Sequence, residues 1–122
     1  MPRQPAIPNE IKTEVQKLVD DFNKKMFTQK QHPVLRLIFG KTKPGFAVRF
    51  KGKFLYLDRT DRGNPSEICR LTWKGKMDNW DFAIYRHSRN FYDPNEWMFP
   101  GAGHVNGTVE GAMRAGMEAY PM

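Results

Sequence analysis

Apolar residues recur at helical spacing near the start of the chain. Ile11, Val15, Leu18, Val19, Phe22 and Met26 share one side, while Lys12, Glu14, Lys17, Asp20, Asp21 and Lys24 fill the others. The pattern predicts an amphipathic helix from Asn9. The Asn9 side chain suits an N-cap, Glu10 sits beside the positive end of the helix, and Lys24 and Lys25 suit the other end. The apolar side is expected to lie on a sheet rather than to receive a partner helix.

After the polar linker TQKQHP the period drops to two. In residues 34–39, Leu35, Leu37 and Phe39 alternate with Val34, Arg36 and Ile38, which predicts a strand. Gly40, Pro44 and Gly45 end it. Residues 46–58, FAVRFKGKFLYLD, read as a β-hairpin around a two-residue turn at Lys51 and Gly52. Phe50 is then opposite Lys53, Val48 opposite Leu55 and Phe46 opposite Leu57. One face gathers Phe46, Val48, Phe50, Leu55 and Leu57, and the other carries Ala47, Arg49, Phe54, Tyr56 and Asp58.

Residues 59–66, RTDRGNPS, have the composition of a surface loop. A strand follows over residues 67–73, with Cys69, Leu71 and Trp73 on one side and Ile68, Arg70 and Thr72 on the other. Another spans residues 80–87, with Trp80, Phe82 and Ile84 inward. Residues 88–106 lose regular periodicity but hold Phe91, Tyr92, Trp97, Met98 and Phe99, so they are expected to form a structured loop over one end of the core. The segment TVEGAMRAGMEAYP fits a closing helix, with Thr108 as N-cap and Val109, Met113, Met117 and Tyr120 on one face. A neighbouring face is all small: Gly111, Ala112, Ala115, Gly116 and Ala119. Close packing within the chain is the expected cause, with a homodimer contact through Gly111, Ala115 and Gly116 as the alternative.

These elements predict an α+β fold: an N-terminal helix, a five-stranded mainly antiparallel sheet, an irregular aromatic-rich segment and a C-terminal helix. The 122 residues suffice for one domain, placed at residues 9–122 after a flexible, proline-containing arm at residues 1–8. The single cysteine, Cys69, excludes an intrachain disulfide. No apolar run approaches the length of a membrane span or a secretory leader, so a cytoplasmic protein with no membrane partner is expected.

Lysine and arginine number 20 against 13 aspartates and glutamates, a formal charge of +7 that attracts polyanions or acidic proteins. In the expected register the non-core face of the sheet gathers Arg36, Arg49, Phe54, Tyr56, Arg70, Tyr85 and His87. Guanidinium groups interleaved with rings are the chemistry of single-stranded nucleic-acid binding, because the charges neutralise phosphates while the rings stack on unpaired bases. Placement of the closing helix decides whether this face is open.

Two other classes remain. A protein-interaction module could use the aromatic loop or the small-residue helix face. A small metal-independent nuclease could use His87 as acid or base beside Tyr85, with Arg49 or Arg70 stabilising charge. Neither a catalytic triad nor a metal-ligand spacing is present, so no catalytic residue, metal or cofactor is assigned. His32 and His104 read as surface groups, Asp93 and Glu96 as turn and cap residues, and Cys69 as a small core residue.

Overall fold

Helix α1 occupies Asn9–Met26 and helix α2 Val109–Ala119 in a computed structural model that describes residues 6–26, 45–60, 65–87, 89–95 and 98–120. Between them run β1 (Phe46–Lys51), β2 (Phe54–Arg59), β3 (Ser66–Thr72), β4 (Asp81–Arg86) and β5 (Phe91–Asp93). The strands lie side by side in chain order, every neighbouring pair antiparallel. The fold is α+β. The strand predicted at residues 34–39 lies outside the described residues.

Both helices pack on one face of the sheet. Val15, Val19 and Phe22 of α1 and Val109, Ala112, Met113 and Ala115 of α2 are buried with Leu55, Leu57, Cys69, Leu71, Phe82 and Ile84. The Phe22 ring meets Phe46 edge-on at 5.9 Å between centroids. Thr108 caps α2, its Oγ1 accepting the Gly111 amide at 3.0 Å. Asn9 is itself helical, and the Pro8 carbonyl accepts the Lys12 amide at 3.0 Å.

The first hairpin turns one residue later than the sequence predicts. Gly52 and Lys53 form the turn, so Phe50 faces Leu55, Val48 faces Leu57 and Phe46 faces Arg59. Gly52 has φ +58, and a two-residue turn with glycine first suits the twist of the flanking strands. Moving the partner of each residue by two positions leaves both faces intact.

A bulge in β3 has a larger effect. Leu57 pairs with Cys69 but Asp58 pairs with Glu67, so Ile68 is an extra residue in its strand. The extra residue reverses the alternation. Ile68 is therefore not on the side of Arg70 and Thr72, as strict alternation predicts, but is buried beneath α2.

Three further features depart from the sequence reading. Arg59 ends a strand rather than opening a loop, and its Nη1 donates to the Tyr120 carbonyl at 2.8 Å. Phe91–Asp93 is a strand inside the stretch expected to be irregular. It follows a tight turn in which Asn90, with φ 55, donates its amide to the Arg86 carbonyl at 2.8 Å. Ile7 does not belong to a free arm: it is 3% exposed and its amide donates to the Gly52 carbonyl at 3.0 Å.

The small-residue face of α2 is consumed within the chain. A Cβ on Gly116 would lie 2.6 Å from Ile68 Cγ2, and one on Gly111 would lie 2.5 Å from the His104 carbonyl oxygen. Gly111, Ala115 and Gly116 are buried, which removes them as a homodimer contact. Phe99 stacks on Phe82 at 5.8 Å, as a loop covering the core should, whereas Met98 beside it is 94% exposed.

Candidate functional site

The face of the sheet turned away from both helices carries a row across four strands: Arg49, Tyr56, Arg70 and Ala83, each directly opposite the next. Tyr92 of β5 faces Tyr85 of β4 on the same side. In a flat sheet β1 and β5 stand four strand spacings apart, about 19 Å. Yet Arg49 Nη2 donates to the Tyr92 hydroxyl at 3.4 Å. Both side chains must lie along the face toward each other, over the short side chain of Ala83, which is buried despite pointing away from the helices.

Rings and guanidinium groups alternate in this layer. Arg49 lies 4.7 Å from the centre of the Tyr56 ring, and Arg70 lies 4.6 Å from that of Phe54 and 5.5 Å from that of Tyr92. Tyr92 meets Tyr56 at 5.3 Å and Tyr85 at 4.9 Å between ring centres. Burial pushes the Tyr92 hydroxyl up to about 12, against a smaller opposing pull from Arg49.

The two arginines differ electrostatically. Arg49 grips Asp58 with two parallel bonds, Nε to Oδ2 at 2.7 Å and Nη2 to Oδ1 at 3.1 Å. That hydrogen bonding holds Arg49 protonated even more firmly than an ordinary arginine and compensates its charge. Arg70 makes no ion pair among the described residues, and its buried Nε has no hydrogen-bond partner. Among the described residues the uncompensated guanidinium of the face is therefore Arg70, between Phe54 and Tyr92.

An open depression of about 670 Å³ lies on this face, lined by Arg49, Phe50, Lys51, Tyr56, Glu67, Tyr85 and Tyr92. Of the residues expected to share the surface, Arg49, Phe54, Tyr56, Arg70 and Tyr85 are brought together, and Arg36 lies outside the described residues. His87 lines not this depression but a neighbouring hollow with Tyr85, Phe99 and Tyr120. Its ring meets Tyr85 at 4.7 Å and Tyr120 at 5.1 Å, and its Nε2 is 3.1 Å from the Glu67 carbonyl oxygen. Among the described residues no hydrogen bond joins His87 to Arg49 or Arg70.

Tyr92 and Glu67 belong to the face but escaped the sequence reading. Tyr92 stands in a strand of three residues, too short to show a period, and only the preceding Arg89 and Asn90 hint at a turn. Glu67 reaches the face through the bulge.

Among the described residues no three His, Cys, Asp or Glu side chains are grouped to hold a metal, and no helix is long and apolar enough to cross a membrane. Cys69 is buried in the core, which raises its thiol well above the usual range and suppresses the thiolate. No protein-family model matches this chain, and neither a curated protein nor a solved structure shows significant similarity to it.

Proposed function

We propose that this chain is a binding domain for single-stranded nucleic acid, which it holds on the sheet face that both helices leave clear. The observation that carries the reading is Arg70, a guanidinium without a carboxylate partner among the described residues, flanked by Phe54 and Tyr92 beside Tyr56 and Tyr85. A phosphate bound at Arg70 gains a charge-assisted contact with no internal ion pair to break. Unpaired bases then have half-buried, pre-oriented rings on which to stack, at about 1 to 3 kcal/mol per base.

Arg49 serves this reading mainly as a positioning residue, because Asp58 holds it across Tyr56. The net charge of +7 supplies long-range attraction. The test is fluorescence anisotropy of labelled single-stranded RNA, single-stranded DNA and duplex DNA at about 50 and 200 mM salt, over which phosphate-driven binding weakens steeply. Preference for a single strand, lost in both Arg70→Ala and Tyr56→Ala, is the expected result. Equal weak binding of all three, abolished by salt and indifferent to Tyr56→Ala, would reduce the interaction to net charge and turn attention to an acidic protein partner.

A further inference from the structure

The depression on the open face has different chemistry at its two ends. Lys51 lies at the hairpin end of β1, and Glu67 is level with Asp58 and Ala47 at the other, because Ala47 faces Asp58 and Asp58 faces Glu67. Four residues of strand separate the two levels, about 13 Å at 3.3 Å per residue. Tyr56, opposite Arg49, stands between the two levels, and Tyr85 and Tyr92, opposite each other, stand level with Glu67, the Tyr92 ring reaching Tyr56 at 5.3 Å between centres. The site is therefore cationic at one end, with rings running from its middle to the anionic other end.

A carboxylate is a poor neighbour for a phosphate chain. Arg49 compensates Asp58, but Glu67 makes no ion pair among the described residues and lies close enough to Tyr92 to help raise its hydroxyl. A carboxylate accepts hydrogen bonds and donates none, so it recognises a base edge that offers two adjacent N–H groups. Guanine presents such an edge, with N1–H beside the N2 amino group. On the pairing edges of adenine and cytosine the amino group sits beside a bare ring nitrogen that repels a carboxylate. Uracil places its single N–H between two carbonyl oxygens.

We infer that Glu67 reads guanine in this depression: the base stacks on the tyrosine layer with its N1–H and N2 amino edge on the Glu67 carboxylate, and its phosphate points toward Lys51. The inference rests on the nucleic-acid reading and adds base identity to it. The end-to-end polarity of the depression matches that of one nucleotide. The bulge at Ile68 is what gives Glu67 its role, since unbroken alternation would turn Glu67 inward.

The experiment uses the full chain and four labelled RNA heptamers, six uridines around a central G, A, C or U, at about 50 mM salt. The G heptamer is expected to bind about tenfold tighter than the other three, the size of one bidentate base contact. Glu67→Gln should bring the four within about twofold by weakening the G heptamer alone, with the all-uridine heptamer unchanged as a control for folding. Equal binding of all four by the unaltered chain, still lost in Tyr56→Ala, overturns guanine recognition and leaves the stacking surface standing. No binding of any heptamer overturns both.

Discussion

The side-chain amide of Asn23 pairs with the backbone of Phe46 as another strand would. Its Nδ2 donates to the Phe46 carbonyl at 2.9 Å, and its Oδ1 accepts the Phe46 amide at 2.8 Å. Helix α1 is thereby fastened to the first residue of β1 by a polar clasp beside the Phe22–Phe46 contact. Gly45 makes room for it, since a Cβ there would lie 2.5 Å from Asn23 Oδ1. Asn23→Ala leaves both backbone groups of Phe46 without this partner and should cost about 1–3 kcal/mol in urea unfolding. Asn23→Asp keeps the acceptor but sets a carboxylate against a carbonyl, and should be no better than alanine. An unchanged urea midpoint in both variants would remove the clasp from the account of stability.

The close approach of α2 to β3 gives a second prediction. Gly116→Ala gains about 1 kcal/mol in helix propensity, but its methyl meets Ile68 Cγ2 at 2.6 Å. Overpacking of this kind costs about 1–3 kcal/mol, so the single variant should be destabilised or at best neutral. In an Ile68→Ala background the clash is absent and the same substitution should stabilise. A double-mutant cycle measures the coupling, and additivity within about 0.5 kcal/mol would contradict the contact.

Tyr92 links the open face to alkaline pH. Burial raises its folded value to about 12 from an ordinary 10, so the neutral hydroxyl is favoured in the native state. Its contribution to stability is complete below the unfolded value and is lost as pH rises from about 10 through about 12. Urea midpoints should therefore fall over that window, and Tyr92→Phe should flatten the fall. Tyr120, also raised by burial, accounts for slope that remains. Ultraviolet titration of the phenolates reads the same event directly, and a Tyr92→Phe protein with an unchanged titration curve would contradict the assignment.

Cys69 offers a probe of opening. With its thiol buried and held protonated, native protein should label slowly with an aromatic disulfide reagent and completely once unfolded in urea. The protection factor then reports the free energy of exposing the core between β2 and β4. Rapid native labelling would show that this part of the core opens without global unfolding.

Much of the architecture was legible because burial imposes a period. The two faces of the first hairpin survive a turn placed one residue away, since the alternation constrains parity more tightly than pairing. The bulge was only faintly legible: strict alternation over residues 67–73 sets Glu67 on the apolar side and Ile68 on the polar side, but two misplaced residues at a strand end do not tell a bulge from fraying. Arg59 was hidden for a different reason. It begins a polar cluster that reads as loop, yet its guanidinium lies 5.4 Å from the centre of the Phe46 ring and reaches the end of α2. At the site, the alternation brought Arg49, Phe54, Tyr56, Arg70 and Tyr85 onto one face. The compensation of Arg49 by Asp58 depends on side-chain geometry that no spacing encodes.

The order of strands also bears on how the chain reaches its fold. Each strand pairs with the strand nearest to it in sequence, so the sheet requires only short loop closures with small entropic cost. The seam where Phe22, Phe46 and Gly116 meet joins distant parts of the chain. Successive hairpins should form early and the docking of α2 late. Substitutions at Gly116 should then accelerate unfolding while leaving the folding limb of the chevron nearly unmoved, whereas substitutions at Leu55 or Leu71 should slow folding itself.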